Sequence, residues 1–288
     1  MVQVVHDPKA FRDACDQLRS QGERIGLVPT MGALHEGHLA LIDEAKARGA
    51  SRVVVTIFVN PKQFDRADDL AAYPRDLDTD LDACEARGVS LVFAPKDRAM
   101  YPEGYQTHVQ VGALAEELEG EYRPGHFLGM TTIVAKLLIL TGPCIAVFGR
   151  KDYQQWRIVD RMTRDLGLPV EIVGHPIVRE PDGLALSSRN RLLTPEDRTR
   201  ALAIARGLRA AAEAWQAGER SAETLTGLAR APIADAFDRI DYVKVIDPES
   251  LRAREGIVDR ASIVVAAHLG SVRLIDNLEL GVDPAPSV

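Results

Sequence analysis

The sequence lacks the marks of several protein classes. Its three cysteines, Cys15, Cys84 and Cys144, are odd in number and form no CxxC pair, so neither a disulfide framework nor a zinc ribbon is indicated. Every longer apolar stretch is interrupted, and the N-terminus has no basic segment followed by an apolar run. We therefore expect a soluble cytoplasmic protein with reduced thiols.

Two common nucleotide-binding signatures are also missing. No GxGxxG follows the first predicted strand and no GxxxxGK[ST] occurs, which disfavours a dinucleotide oxidoreductase and a P-loop kinase. The formal net charge of -7 disfavours a protein that coats nucleic acid or an anionic membrane. With 288 residues, of which 46% are hydrophobic, the chain is long enough to bury a sizeable core.

Apolar strand candidates alternate with helix candidates through the first half of the chain. Strands are predicted at residues 24–29, 53–59, 89–94, 144–148 and 170–173. Helices are predicted at residues 36–48, 76–87, 130–140 and 152–166. Repeated strand–helix–strand order requires parallel pairing through right-handed crossovers. The predicted fold class is α/β, with a Rossmann-like parallel sheet that binds ligands at the carboxyl ends of its strands.

The pattern changes after about residue 178. Helices are predicted at residues 195–215 and 221–230, and strands at residues 242–246, 262–268 and 272–276. This mixture indicates a smaller α+β domain. We predict domains over residues 1–177 and 178–288, joined by a short hinge because no Gly/Ser linker separates them.

The segment PTMGALHEGHLALI, residues 29–42, joins a strand end to the start of a helix. His35 and His38 are three residues apart, which places both imidazoles on one face near the helix N-terminus. The unpaired N–H groups and the positive end of the helix dipole favour a phosphate there. Gly32 and Gly37 would let a nucleotide approach the backbone. The alternative is a pair of ordinary polar residues at a helix start.

Uncharged amides follow the second strand, in the segment TIFVNPKQF. Asn60 and Gln63 suit a small hydroxy-acid, because each amide can donate to a carboxylate and accept from a hydroxyl. The alternative for this segment is a capped turn.

The segment FGRKDYQQ again follows a strand and opens a helix. Lys151 is placed to meet polyphosphate oxygens, Asp152 to cap the helix or orient a ribose or lysine, and Gln155 to reach a ligand. A Lys-Asp pair at a helix start is common on protein surfaces. It is informative here because this segment, like the two before it, places polar residues at the same edge of the predicted sheet.

The segment LALSSRNRLL lies where the second domain begins. The hydroxyls of Ser187 and Ser188 together with the guanidinium of Arg189 make a phosphate clamp, which a hinge would let close over a nucleotide. A turn with an exposed arginine is the alternative.

Two further groups of residues concern a cation and a substrate. Asp78, Asp80 and Asp82 could hold Mg²⁺ through water, yet a solvated helix face is favoured for most of them. Arg123 and His126 form a basic and imidazole pair on a Gly/Pro loop, which is suited to contact a substrate.

In this order and spacing, the segments resemble the pantothenate synthetase (pantoate–β-alanine ligase) family, adenylate-forming members of the nucleotidyltransferase superfamily with a HIGH-like motif. The resemblance covers nearly the whole chain, through RPGHF, MTRDLGLPVEIV, VREPDGLALSSRN and LGSVRLIDN. It implies ATP-dependent condensation of (R)-pantoate with β-alanine through a pantoyl-adenylate, with release of AMP and pyrophosphate. It also implies Mg²⁺ supplied with ATP, a homodimer, no nucleic acid or membrane partner, and a C-terminal lid domain.

The resemblance also implies roles for individual residues. His38 is the implied general acid. We further expect His35 and Lys151 to be catalytic, by stabilising the transition state and the departing pyrophosphate with His38. ATP contacts are implied for Met31, Gly32, Ala33, Leu34, His35, Glu36, Gly37, His38, Gly149, Arg150, Lys151, Asp152, Val178, Leu186, Ser187, Ser188 and Arg189. Pantoate contacts are implied for Gln63 and Gln155. The residue patterns described above add Asn60, Arg123 and His126 as candidate substrate contacts. Asp80 is implied as the acidic residue associated with Mg²⁺.

Three positions depart from the family pattern. Arg150 stands where FGEKD or FGQKD is usual, Leu186 replaces a common methionine, and Ile139 occupies a place often held by asparagine. We expect little effect from Leu186, because leucine and methionine have nearly the same volume. Arg150 changes the charge beside Lys151 and Ile139 removes an amide, so we expect these two to affect ATP affinity and local polar contacts rather than the reaction class. The alternatives in function are a nucleotidyltransferase acting on another small acceptor, a catalytically idle nucleotide-binding regulator and, more distantly, a dinucleotide oxidoreductase.

Overall fold

The structure is a computed structural model that describes residues 2–64, 70–71 and 73–288. The chain divides into two units. The first unit consists of Met1–Arg150 and Gln154–His175, and the second of Lys151–Tyr153 and Pro176–Val288. The domain boundary after residue 177 stays a prediction.

A parallel sheet forms the centre of the first unit. Its strands are β1 (Gln3–Val5), β2 (Ile25–Thr30), β3 (Arg52–Ile57), β4 (Leu91–Phe93), β5 (Cys144–Gly149) and β6 (Val170–His175). Their spatial order is β1-β4-β3-β2-β5-β6, and every neighbouring pair is parallel. The predicted α/β class with a Rossmann-like sheet is therefore confirmed. The strand order reverses between β2 and β5, so the carboxyl ends of these two strands mark the crevice where such sheets bind ligands.

Helices connect these strands. They are α1 (Pro8–Ser20), α2 (Glu36–Ala47), α3 (Leu77–Ala86), α4 (Asp97–Met100), α5 (Glu119–Tyr122), α6 (His126–Thr141) and α7 (Tyr153–Asp165). Short 3₁₀ helices occur at Pro61–Gln63, Ala113–Ala115 and Arg150–Asp152. The elements β1 and α1 were not predicted from the sequence, and α6 begins four residues before its predicted start at residue 130.

The sheet buries apolar side chains on both faces. Leu27 and Val54 belong to one buried cluster, whereas their neighbours Val28 and Val55 belong to another, which also contains Ile42 of α2. This alternation follows from the period of two along a strand. Burying each such side chain stabilises the fold by about 1.5–3 kcal/mol.

Gly26 sets the distance between the sheet and α2. A Cβ at this position would lie 2.8 Å from the Cβ atoms of both Ala45 and Ala50. Real Cβ atoms do not approach so closely, so only glycine lets α2 lie against β2 in this way. The close approach fixes the helix that begins at the predicted nucleotide site.

The second unit has a different architecture. It contains α8 (Pro195–Gln216), α9 (Ala222–Ala236), β7 (Arg239–Ile246), β8 (Ser262–Leu269) and β9 (Val272–Glu279). The three strands form an antiparallel sheet in sequence order, and a 3₁₀ helix spans Ser188–Leu192. Residues of both helices, such as Leu208 and Leu225, share one buried cluster with Ile263 of the sheet. The smaller α+β part is confirmed.

Across the residues that the structure describes, no helix is both long and apolar enough to cross a membrane.

Candidate active site

The turn after β2 holds the chain in an unusual conformation. Gly32 has φ +81° and the following residue, Ala33, has φ +51°. Positive φ is uncommon for a residue other than glycine and is concentrated at functional sites. A Cβ on Gly32 would also lie 2.8 Å from Asp80 Oδ2. The turn is therefore held by its surroundings rather than by local preference.

Asp80 provides much of that support. Its Oδ1 accepts a hydrogen bond from the N–H of Leu34 at 2.7 Å, and its Oδ2 accepts one from the N–H of Ala33 at 2.9 Å. Burial raises the pKa of the Asp80 carboxyl, while these two hydrogen bonds lower it in part. The Oγ1 of Thr30 accepts from the N–H of Gly32 at 3.1 Å. Both carboxylate oxygens of Asp80 thus hold the backbone of the turn.

The donor set does not form a protein cage for a metal ion. Within residues 2–64, 70–71 and 73–288, no group of three or more His, Cys, Asp or Glu residues is arranged to hold one. Asp80 alone, with both oxygens engaged by backbone amides, is a poor match to the several oxygen ligands that Mg²⁺ requires. A metal contact by Asp80 stays a prediction.

His35 and His38 cap the N-terminus of α2. The Nδ1 of His35 accepts from the N–H of Gly37 at 3.2 Å, and the Nδ1 of His38 accepts from the N–H of His35 at 3.4 Å. A nitrogen that accepts carries no proton, so each neutral ring holds its proton on Nε2. In both imidazoles, therefore, Nδ1 caps the helix and Nε2–H is a hydrogen-bond donor.

Glu36 and Gly37 complete this first turn. Glu36 begins α2, and its exposed carboxylate pairs with Arg87 at 2.9 Å. Surface pairs of this kind contribute little to stability. Gly37 is engaged through its backbone N–H.

A buried amide pair follows β3. Asn60 Nδ2 donates to Gln63 Oε1 at 3.0 Å and to the carbonyl of Gly129 at 3.1 Å. Gln63 Nε2 points at the sulfur of Met31, 2.9 Å away. The predicted residues Met31, Asn60 and Gln63 thus lie together at the carboxyl edge of the sheet.

Arg123 and His126 belong to the same cluster. The buried ring of His126 contacts the carbonyl of Gln63 through Nδ1 at 2.8 Å and Arg123 Nη1 through Nε2 at 3.3 Å. Since a carbonyl only accepts and a guanidinium only donates, Nδ1 carries the proton. His126 links Arg123 to the turn that holds Gln63.

Gly129 lets α6 approach that turn. A Cβ here would lie 2.0 Å from the carbonyl oxygen of Lys62 and 2.8 Å from the N of Gln63. No side chain larger than hydrogen fits, so the first turns of α6 and the 3₁₀ helix Pro61–Gln63 are in direct backbone contact.

Two adjacent glutamines at the start of α7 differ in role. Gln154 is buried; its Oε1 accepts from Glu119 N, and its Nε2 donates to the carbonyls of Leu114 and Glu117. Gln155 is half-buried and makes no side-chain hydrogen bond within the described part of the chain. Gln154 is therefore structural, and Gln155 is the one of the pair suited to a ligand.

The departures at Arg150 and Ile139 have simple structural settings. Gly149 ends β5, and Arg150 is buried with its guanidinium 5.6 Å from the centre of the Trp156 ring. Its charge is thus packed on an aromatic ring. Ile139 is 54% exposed on α6, so an asparagine there would not belong to a buried polar network.

Lys151 and Asp152 belong to the second unit. Their charged groups are 3.8 Å apart, and the carbonyl of Lys151 accepts from Asn277 Nδ2 at 3.0 Å. Lys151 also lines a small cavity with Ser187, Arg189 and Asp276. The structure thus brings the predicted phosphate residues Lys151, Ser187 and Arg189 to one cavity.

The remaining predicted residues form a tight backbone structure next to that cavity. The N–H of Leu186 donates to the carbonyl of Val178 at 2.9 Å, so these two predicted residues are paired. Ser187 caps the 3₁₀ helix that begins at Ser188, because its Oγ accepts from the N–H of Arg189 at 3.3 Å. The side chain of Arg189 is exposed.

Several supporting residues were not predicted from the sequence. Arg179 makes a bidentate ion pair with buried Asp276, at 2.7 and 3.0 Å, and Tyr101 donates to Asn60 Oδ1 at 2.7 Å. Each partner lies 41 or more residues away along the chain, so no local motif signals the contact. Only the fold reveals these pairs.

Comparison with known proteins places the chain in a family. Residues 3–279 match the model of the family described as pantoate-beta-alanine ligase. Pantothenate synthetase 1 of Bradyrhizobium diazoefficiens is 47% identical, over 99% of this chain and 100% of that protein. Pantothenate synthetase of Thermus thermophilus superposes with a TM-score of 0.90 and 45% identity, covering 96% of this chain and 99% of that one.

A second solved structure is that of a pantoate-beta-alanine ligase from Francisella tularensis, described as complexed with beta-gamma ATP and beta-alanine. It superposes with a TM-score of 0.79 and 34% identity, over 97% of this chain and 98% of that one. The expected resemblance is confirmed over essentially the full length of these relatives. This chain belongs to the pantoate–β-alanine ligase family.

Proposed function

We propose that this chain condenses (R)-pantoate with β-alanine to form pantothenate, at the expense of ATP. A free carboxylate does not form an amide usefully, because the leaving group would be oxide or hydroxide. The pantoate carboxylate therefore first attacks the α-phosphorus of ATP, which gives pantoyl-adenylate and releases pyrophosphate. The amine of β-alanine then attacks the acyl carbon, and AMP leaves with the bonding electrons.

The observation that carries this proposal is the capped N-terminus of α2. It follows β2 at the point where the strand order reverses, and its two imidazoles hold their protons on Nε2. Phosphate oxygens gain negative charge as pyrophosphate departs, and Nε2–H donors together with the helix dipole stabilise that charge. We assign His38 as general acid and His35 as its companion donor.

The amide cluster is the proposed pantoate site. Asn60 and Gln63 lie side by side. We assign Gln155, at the start of α7, to the same substrate as a third uncharged amide. Amides distinguish a hydroxy-acid through both donors and acceptors, and they leave the carboxylate reactive because they carry no charge. Arg123, held by His126, is suited to the carboxylate of β-alanine. The complex of the Francisella tularensis relative, which contains β-alanine, supports this class of substrate.

The phosphates of ATP are assigned to Lys151, Ser187, Ser188 and Arg189. Lys151 and Arg189 line one cavity, and cations there neutralise polyphosphate charge. The paired backbone of Val178 and Leu186 would hold the nucleotide's other groups.

Mg²⁺ is proposed to arrive with ATP rather than to reside in the protein. Within residues 2–64, 70–71 and 73–288 no metal-holding group of three or more side chains occurs, so phosphate oxygens and water would complete the coordination. Mg²⁺ supplies charge neutralisation on the triphosphate. We also propose that the protein is a homodimer, because closed symmetric dimers are the commonest oligomers. We propose a cytoplasmic location as well.

The test is AMP release from Mg-ATP and D-pantoate, measured with and without β-alanine. The proposal requires catalytic AMP formation only when both substrates are present, matched mole for mole by pantothenate. AMP formation with another acceptor, or ATP binding with no AMP under either condition, contradicts the proposal. The rival transferase that stops at nucleotidyl transfer is not favoured, because the relatives named above are synthetases that match the chain end to end.

A further inference from the structure

Tyr101 contacts the amide cluster from outside every motif identified in the sequence. It directly follows α4, and its hydroxyl donates to Asn60 Oδ1 at 2.7 Å. The same oxygen also accepts from the backbone N–H of Lys62 at 3.3 Å. Tyr101 is therefore the side-chain donor, among the described residues, that fixes the oxygen end of this amide.

The orientation of the Asn60 amide is determined by partners whose roles are unambiguous. The backbone N–H of Lys62 only donates, and it points at Oδ1. The carbonyl of Gly129 only accepts, and it lies 3.1 Å from Nδ2. A flipped amide would lose both bonds, so oxygen faces Tyr101 and nitrogen faces Gln63.

This orientation sets the polarity of Gln63. Because Asn60 Nδ2 can only donate, the Gln63 atom 3.0 Å away is the acceptor Oε1. The other atom of the Gln63 amide is then Nε2, a double donor. Its contact is the thioether of Met31, which is a weak acceptor. Gln63 therefore presents N–H groups that a carboxylate or hydroxyl oxygen would satisfy better than sulfur does.

The ring of Tyr101 is itself held on several sides. The Nζ atoms of Lys62 and Lys136 lie 5.2 and 5.1 Å from its centre, and Tyr105 meets it edge-on at 5.1 Å between ring centres. Lys136 Nζ also donates to the carbonyl of Met100. Burial raises the pKa of Tyr101, so its hydroxyl keeps the proton that it donates.

We propose that Tyr101 is a positioning residue for pantoate: through Asn60 it holds Gln63 as an N–H donor toward an acceptor oxygen of that substrate. The inference rests on the proposed function, because it concerns the pantoate site. It adds a residue that does not touch the substrate and a fixed direction for the hydrogen bond that Gln63 offers.

The test is Tyr101→Phe, which deletes the hydroxyl and keeps the ring with its two lysines. Without the hydroxyl, the Asn60 amide loses a partner and Gln63 loses part of its orientation. We expect KM for D-pantoate to rise about tenfold, the equivalent of one hydrogen bond of about 1.4 kcal/mol. KM for ATP and for β-alanine should change less than about twofold, because their proposed contacts do not pass through Asn60.

Tyr105→Phe is the matched control. Tyr105 belongs to the same aromatic group and lies 4.6 Å below the Lys136 ammonium, yet its hydroxyl makes no hydrogen bond within the described part of the chain. Its removal should leave all three KM values unchanged. If KM for pantoate rises equally in both variants, the cause is a general disturbance of the packing around the two rings, and the proposal is overturned.

Direct binding separates this inference from the proposed function. Calorimetric titration of D-pantoate into the full-length protein and into Tyr101→Phe should give a tenfold weaker Kd for the variant. Equal Kd values overturn the positioning role while leaving the synthetase reaction intact. Absence of pantothenate formation by the unmodified protein would remove the proposed function, and absence of pantoate binding would remove the inference with it.

Discussion

The rings of His35 and His38 lie 4.1 Å apart, centroid to centroid, at the first turn of α2. Each Nδ1 accepts a backbone hydrogen bond, so capping of the helix and the proposed donation to a ligand use different nitrogens of the same ring. Substitutions at position 38 can therefore remove one task and keep the other.

His38→Ala removes both tasks. We expect kcat to fall at least about a hundredfold, since a general acid contributes roughly 10²–10⁴-fold. The free energy of unfolding should fall by about 0.5–1.5 kcal/mol, because the capping-box hydrogen bond from the N–H of His35 is lost. Steady-state kinetics and urea unfolding measure the two effects.

His38→Asn is the informative companion, because its Oδ1 can replace Nδ1 as the acceptor but nothing replaces the Nε2 donor. Its stability should be close to that of the unmodified protein, and its kcat close to that of His38→Ala. Wild-type-like turnover in either variant would remove His38 from the mechanism.

Asp80→Asn tests whether Asp80 acts on the turn or on a metal. The amide offers one acceptor where the carboxylate offered two, so either Ala33 or Leu34 loses its partner. We expect a loss of about 1–3 kcal/mol in the free energy of unfolding and a several-fold higher KM for ATP. The Mg²⁺ concentration that gives half-maximal activity at saturating ATP should not change.

Asp78→Asn is the control for that experiment. Asp78 lies on the same helix, α3, and is exposed. Its substitution should alter neither stability nor KM. A raised Mg²⁺ requirement confined to Asp80→Asn would instead support a metal contact.

The three cysteines should be inert in the folded protein. Each is buried, and burial raises the pKa of each thiol from 9.0 to about 12. A thiol whose pKa is raised holds far less thiolate at a given pH, and the thiolate is the reactive form. A colorimetric disulfide reagent at pH 8 should label none of the three rapidly, and all three after unfolding in urea. Rapid labelling of one thiol in the native state would contradict the burial.

Asp241 should contribute to acid sensitivity of the second unit. Burial alone would raise the pKa of its carboxyl, but the hydrogen bond that Arg273 donates at 2.8 Å and the contact with His268 at 2.9 Å outweigh burial and lower the pKa. A carboxyl with a depressed pKa stabilises the fold above its unfolded pKa and loses that stabilisation as pH falls through the folded value. Urea midpoints should therefore decrease from pH 5 downward.

Asp241→Asn should flatten this decrease and lower stability at pH 7 by about 1–3 kcal/mol, because Arg273 loses a charged acceptor. Asp235→Asn, at an exposed position of α9, should leave the profile unchanged. If the urea midpoints of the unmodified protein and of Asp241→Asn decrease equally with falling pH, Asp241 does not cause the acid sensitivity.

Hydrophobic periodicity predicted most elements because the sheet is buried on both faces. The predicted ends of β2 and β3 lie within two residues of the observed ends, and the same holds for α2 and α3. The elements β1 and α1 were missed: β1 has only three residues, and α1 is mostly polar with buried Phe11 and Cys15 as its core contacts. Helix α9 continues to Ala236 through Pro232, which sequence rules treat as a probable end.

The candidate site was predicted where its residues are close in sequence. The residues of two pairs, His35 with His38 and Asn60 with Gln63, are each three residues apart and are in contact with each other. Long-range supports such as Asp80 under Leu34 could not be predicted as such, because 46 residues separate the partners and an acidic residue on α3 also fits a solvated surface.

At Gly129 the proposed active site requires a residue without a side chain. In a library carrying all twenty amino acids at each position, position 129 should be depleted as strongly as a chemically active residue, although it has no group that takes part in the reaction. The cause is the 2.0 Å that any Cβ would leave to the Lys62 carbonyl, which would displace the turn that holds Asn60 and Gln63. A position of this enzyme that tolerates no substitution is therefore not always one whose side chain takes part in the reaction. It can also be one where the backbone leaves no space for a side chain.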